Sequence, residues 1–325
     1  MTTLAPWLIP AWKRLAADVA EGRLHHALLF AGAAGYGKRA LARALAAAVL
    51  CTERNADGTA CGHCRSCLLV AAGSHPDLVR VSFEPRDSDG KLRSEIIVDQ
   101  MRALGARLAM SSQFGGLQIA IIDPADAMNP NAANALLKTL EEPAANTILL
   151  LVADDPSRLP ATIRSRCRRV EMEIPTRDES LAWLRANGIA ADVAASTLDA
   201  SLGNPGLAAT WIEEGALAVR KECAADLAAL SAARAQPSAV AERWAADRPA
   251  LRVWFAAALA REEARRIGEG KRGELGLTRA AEIPKLNAWF GRANRARGLL
   301  STPLRADMVL LDLLRDWPAR TASRA

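Results

Sequence analysis

The chain has 325 residues, half of them apolar and about a quarter charged, with 42 basic against 36 acidic residues and a net charge of +6. That length supports two or three domains with ample core, and the balance excludes a disordered or fibrous chain. No apolar window is long enough to span a bilayer, the run from Leu41 to Leu50 being broken by Arg43, and the N-terminus lacks a basic segment followed by an apolar one.

The expected setting is therefore cytoplasmic, with no membrane partner. The charge permits contact with nucleic acid without requiring it. The tightest basic cluster is Arg164, Arg166, Arg168 and Arg169.

In chain order, residues 26–30 form a short apolar run that ends in a glycine-rich turn. Residues 38–50 follow with helical spacing at Leu41, Leu45 and Val49. The turn reads Gly32-Ala-Ala-Gly-Tyr-Gly-Lys38-Arg39, set between strand and helix as a phosphate loop requires. Gly32, Gly35 and Gly37 allow close backbone approach to phosphate, and Lys38 supplies charge to it. The next position needs a Ser or Thr hydroxyl for Mg²⁺. Arg39 has only donors and cannot ligate a metal. Nucleotide binding without hydrolysis stays open here, as does a purely structural glycine turn.

Residues 51–75 read as an insertion rich in Cys, Gly and Asn. It carries Cys51, Cys61, Cys64 and Cys67, with Gly62 where the backbone must turn. In a reducing compartment such clustering favours metal over disulfides, and four thiolates in close pairs suit a closed tetrahedral zinc site. An iron–sulfur cluster is the rival, but that pattern wants a Cys-Pro downstream, where Leu68-Leu69 stands. His63 lies between two ligands and is expected to point away. Such a site would supply folding energy to a segment with little core of its own.

Residues 78–83 read as a strand, 84–95 as a charged loop and 98–110 as a helix. Residues 118–123 form an apolar run ending in Asp123, a carboxylate placed to assist Mg²⁺. Pro124 follows it, with neither a carboxylate to orient water nor an amide proton. Residues 131–142 are helical and stopped by Pro143; Asn131, Asn134 and Lys138 share a polar face that suits solvent, a neighbour or DNA phosphate. Residues 147–152 form another buried strand, and 168–174 alternate and close the sheet. Strands and helices alternate through 26–174, which predicts a parallel sheet with helices on both faces. After Pro175 strand signals stop. Helices are expected at 178–187, before and after Gly203-Asn-Pro-Gly206, and through most of 216–317.

Ser165-Arg166-Cys167 lies between the Leu159-Pro-Ala-Thr-Ile163 segment and the last strand of the α/β region. Arginine is always charged and forks two donors, which suits a transition-state phosphoryl group. Supplied in trans, such a finger is worth about 10³–10⁵ in rate. An isolated arginine would be read as a surface ion pair, but its setting, Asp155-Pro-Ser-Arg-Leu-Pro160 followed by Thr162-Ile-Arg-Ser-Arg-Cys167, is specific.

These residues together closely resemble the delta-prime subunit family of bacterial DNA polymerase III clamp loaders, which are AAA+ proteins. The match runs through Pro6-Trp7, residues 26–30, the Cys cluster, Gly73-Ser-His-Pro-Asp77, Val98-Asp-Gln-Met-Arg102, Asn134-Ala-Leu-Leu-Lys-Thr-Leu-Glu-Glu-Pro143 and Ser165-Arg-Cys167. It is dense over the first half; the second half matches in helical character and position only. The resemblance implies an α/β P-loop AAA+ domain at 1–174 with a four-cysteine zinc insertion at 51–75, a helical lid at 175–215 and an all-α collar at 216–325. It implies a ring with ATP-binding gamma/tau subunits and the delta subunit, which opens the sliding beta clamp and loads it onto primed DNA. This chain would be the stator of that ring, part of the DNA polymerase III holoenzyme with no separate catalysis, and Arg166 would serve the adjacent ATP site. In active relatives a nucleotide-sensing arginine lies where this chain has Asn204-Pro-Gly206.

Two other readings carry their own signatures. An autonomous AAA+ ATPase such as a helicase loader requires turnover that depends on Lys38, and Arg39, Pro124 and Gly206 speak against it. A zinc-dependent nucleic-acid adapter requires basic and aromatic residues around the Cys module, which offers little beyond Arg65.

Overall fold

The computed structural model describes residues 4–86, 90–300, 302 and 304–318. Its contacts divide the chain into two units, 1–188 with 204–206 and 189–203 with 207–325.

The first unit begins with α1 (Ile9–Ala20), followed by β1 (Ala27–Ala31), α2 (Lys38–Leu50), α3 (Arg65–Ala71) and β2 (Leu78–Val81). It continues with α4 (Val98–Leu108), β3 (Gln118–Ile122), α5 (Pro130–Glu141), β4 (Thr147–Ala153), α6 (Ala161–Arg164), β5 (Arg168–Val170) and α7 (Arg177–Ala186). All strand pairs are parallel, in the order β2-β3-β4-β1-β5. Central strands β1, β3 and β4 are buried at every position, as expected when helices cover both faces. Ala27, Leu29 and Ala31 face one core with Met101, Leu104, Leu136 and Leu140 of α4 and α5. Leu28 and Phe30 face the other with Trp12 and Leu15 of α1 and Leu41 and Leu45 of α2. The period of two thus divides one apolar run between two cores.

The predicted α/β architecture is found, with two local differences. Only Arg168–Val170 of the expected last strand pairs, because β5 has β1 on one side alone and its first two residues are exposed. Helices α1, α3 and α6 have no counterpart among the expected elements. The buried spacing of Ala11, Trp12 and Leu15 carries the signal for α1, whereas α3 lies inside the Cys insertion, where turn residues mask a short helix.

The second unit is helical: α8 (Ala191–Ala200), α9 (Pro205–Glu213, apart from its first two residues), α10 (Ala216–Ser231), α11 (Pro237–Ala246), α12 (Pro249–Gly268), α13 (Ile283–Leu299) and α14 (Ala306–Arg315). Its core is built on Trp244, Phe255, Leu286, Trp289 and Trp317. Trp289 and Trp317 meet edge to face at 4.7 Å, and their indole N–H groups donate to Leu313 O and to Leu227 O and Ser231 Oγ. The scarce aromatics act here as anchors with satisfied polar tips.

Candidate functional site

The parallel sheet brings the ends of three central strands to one edge, where ligands of such folds bind. The loop after β1 carries Gly32, Gly35 and Gly37, all with positive φ. Gly37 precedes α2 with φ 89°, and a Cβ there would lie 2.7 Å from Leu8 Cδ1, so the glycine is needed at that position. Trp7 Nε1 donates to Tyr36 O at 2.9 Å and ties the loop to the N-terminal segment. Asp123 follows β3 and Asp154 follows β4.

These charges satisfy one another. Lys38 is only 2% exposed and ion-paired with Asp154. Arg39 Nε donates to both oxygens of Asp123, at 2.9 and 3.1 Å. Its Nη1 and Nη2 donate to the two oxygens of Asp154, each at 2.9 Å. Such a two-pronged pair is among the stronger charged contacts. Burial lowers the Lys38 pKa, and Asp154 offsets only part of that shift. Burial raises the Asp154 carboxyl, but hydrogen bonds from Arg39 and Lys38 outweigh it and hold it below the usual range. At Asp123 burial prevails over Arg39 and the pKa is raised.

The sequence-predicted Gly32, Gly35, Gly37, Lys38 and Asp123 therefore do come together, but the cation meant for phosphate and the carboxylate meant for metal are both engaged within the chain. Residues 204–206 fold onto the same loop. Asn204 Nδ2 donates to Ala34 O at 2.7 Å, and a Cβ on Gly206 would lie 2.0 Å from Gly35 O. Asp154 was missed by the sequence reading. Its signal is that it follows an apolar strand just as Asp123 does.

Arg166 lies in the turn between α6 and β5, with 37% of its side chain exposed. Nη1 donates to Thr162 O at 3.0 Å and Nη2 lies 2.6 Å from Glu141 Oε1. Cys167, next to it, packs against the core, and burial pushes its thiol up to about 12. It anchors the turn while Arg166 faces outward. Asn131, Asn134 and Lys138 are all exposed on α5, as their spacing predicts.

Cys51, Cys61, Cys64 and Cys67 form the third constellation, with sulfurs all within 4.8 Å of one another. Cys51 and Cys64, and Cys61 and Cys67, are each 3.9 Å apart, Sγ to Sγ. That separation is too long for a disulfide. It matches a tetrahedron with metal–sulfur bonds of about 2.3 Å, whose edges are about 3.8 Å. Backbone N–H groups of Glu53 and Cys61 donate to Cys51 Sγ, that of Cys64 to Cys61 Sγ and that of Cys67 to Cys64 Sγ, at 3.3–3.4 Å. These donors disperse thiolate charge. Hydrogen bonding from Thr52 draws the Cys64 thiol down to about 5, whereas burial pushes Cys67 up to about 12. A central cation would let all four ionise. The cluster can bind a metal, and its donor set fits zinc. His63 is exposed, with Nδ1 3.1 Å from Cys61 O, and stays outside the tetrad. No helix among the described residues is long and apolar enough to cross a membrane.

A family profile described as DNA polymerase III, delta subunit, matches residues 9–176. DNA polymerase III subunit delta' of Pseudomonas aeruginosa is 38% identical over 259 residues, covering 78% of this chain and 76% of that protein. The Escherichia coli delta' subunit is also 38% identical, over 62% of this chain and 59% of its own length. The tau subunit of Salmonella typhimurium is 36% identical over 49% of this chain and 23% of its own.

Proposed function

This chain belongs to the DNA polymerase III delta' family, and from that premise we propose that it serves as the stator of a clamp loader and lends Arg166 to an ATP site on an adjoining gamma/tau subunit. One observation carries the reading: the chain's own phosphate loop is closed by Arg39, which holds Asp123 and Asp154 together, while Arg166 stays at the surface. A trans arginine needs charge, reach and a fixed root, and the half-buried Cys167 beside it, packed on the core, supplies the root. The complex so formed, with the delta subunit, would open the sliding beta clamp and load it onto primer–template DNA.

Three finer assignments go with this reading. Zinc would fill the Cys51, Cys61, Cys64 and Cys67 tetrad as a structural ion. Residues 175–215 would act as the lid and 216–325 as the collar that joins the subunits. The chain itself would neither bind ATP productively nor hydrolyse it, since Mg²⁺ has no hydroxyl at Arg39 and no free carboxylate at Asp123.

Replacing Arg166 by Ala in the reconstituted complex tests the central claim. Turnover at the site it serves is expected to fall by about 10³, the low end for a lost trans arginine. The loss should appear in steady-state ATP hydrolysis and in clamp loading, with assembly intact by size-exclusion chromatography. Unchanged hydrolysis in an intact complex removes the assignment.

A further inference from the structure

Arg166 is held by two acceptors of its own chain, and one of them stands where helix physics disfavours it. Glu141 is the last residue of α5, so its carboxylate sits at the negative end of the helix dipole. Its side chain is 49% exposed, so it contributes little core. Although Lys138 lies one turn back on the same helix, the Glu141 carboxylate pairs with Arg166 instead, at 2.6 Å.

The pairing leaves the arginine able to act. A guanidinium carries five N–H donors. One contact to Glu141 Oε1 and one to Thr162 O engage both terminal nitrogens and fix the plane of the group. The remaining donors are left for another acceptor. Without Glu141, a long and part-exposed side chain would have to be ordered at the moment a phosphate arrives.

We propose that Glu141 is the positioning residue for Arg166: it orients the guanidinium at the surface of the α/β unit so that its unused donors meet a phosphoryl group of the adjoining subunit. The proposal rests on the trans role of Arg166 given above.

The test uses the full reconstituted complex with Glu141→Ala, Glu141→Gln, Arg166→Ala and the Glu141→Ala/Arg166→Ala pair, and reads kcat and KM for ATP. Glu141→Ala should lower kcat roughly fivefold, the size of effect a surface pair supports, with KM nearly constant. Glu141→Gln should recover part of it, because the amide oxygen still accepts a hydrogen bond. In the Arg166→Ala background, Glu141→Ala should add nothing. The melting temperature of the isolated chain should not fall, because the change removes a carboxylate from a helix C-terminus. If Arg166→Ala impairs turnover but Glu141→Ala leaves kcat alone, or if Glu141→Ala costs as much without Arg166 as with it, the positioning role is wrong. If Arg166→Ala itself has no effect, the trans reading fails first.

Discussion

The phosphate loop and the Cys insertion sit in the same α/β unit, and each sets motif residues at the start of a helix. At the loop, Lys38 and Arg39 meet Asp123 and Asp154 in a closed set of ion pairs. At the insertion, four sulfurs converge and receive backbone N–H groups. A constellation that brings its own opposite charge has no need of a ligand. One that gathers ionisable donors of a single kind is stable in its charged form only when a cation joins it. The difference that Arg39 already hints at in one dimension becomes complete once the neighbours of each motif are counted.

The largest expected effect lies on the Cys side. Cys64→Ser, or removal of metal by a chelator, should destabilise the insertion by roughly 3–5 kcal/mol, since a structural tetrad contributes folding energy directly. Hydrogen exchange should rise in residues 51–75 and the melting temperature should drop, while metal analysis of the untreated chain finds about one zinc per chain. A chain that holds no metal and is indifferent to chelation would place the Cys tetrad beside the phosphate loop as a self-sufficient structural feature.

Arg39→Ala probes the other side. It leaves Asp123 and Asp154 facing each other with Lys38 as the one remaining cation of the set, and the expected cost is about 2–3 kcal/mol at neutral pH, below that of a fully buried pair because the site is part exposed. The sign of the pH dependence follows from Asp154. Its folded pKa lies below the ordinary 3.8, so its stabilisation is present above that value and is lost as pH falls through the folded one. Asp123 is shifted the other way, so the stability it contributes is present below its ordinary pKa and is lost as pH rises through the folded value. The deficit of Arg39→Ala should therefore shrink as pH drops below about 4, where both carboxylates take up protons. Urea midpoints across that range measure it, and a gap that widens in acid contradicts the network.

Much of this was legible in sequence. Continuous apolar runs at residues 26–30, 118–123 and 147–152 announce buried parallel strands, and the Cys spacing announces the tetrad without help from tertiary structure. Arg39, standing where a phosphate loop carries a Ser or Thr hydroxyl, likewise marks the loop in sequence as lacking that metal ligand. What the sequence hid is long-range pairing: Arg39 with Asp154, Asn204 with Ala34, and Arg166 with Glu141. The first joins the segments after β1 and β4, which are neighbours only in the sheet order β2-β3-β4-β1-β5; the other two join segments far apart along the chain, and local periodicity carries no trace of any of them. The short β5 was likewise overextended, because an alternating pattern does not say how far an edge strand finds a partner.

Lys38→Met should have the smallest effect and divides the readings most cleanly. The lysine is buried, and burial lowers its pKa, so its charge is costly where it sits. Methionine keeps the apolar stem, and Arg39 still grips both oxygens of Asp154. Removing one partner of a buried pair is costly when it strands the other charge; Asp154 is not stranded here, so stability should change by no more than about 1 kcal/mol. In a working phosphate loop the same change would abolish nucleotide binding and turnover. Here the assembled complex should hydrolyse ATP at its normal rate with Lys38→Met and fail with Arg166→Ala. If the wild-type chain binds nucleotide by calorimetric titration and Lys38→Met does not, the loop opens in solution, and the division between a closed site at Arg39 and an active surface at Arg166 has to be redrawn.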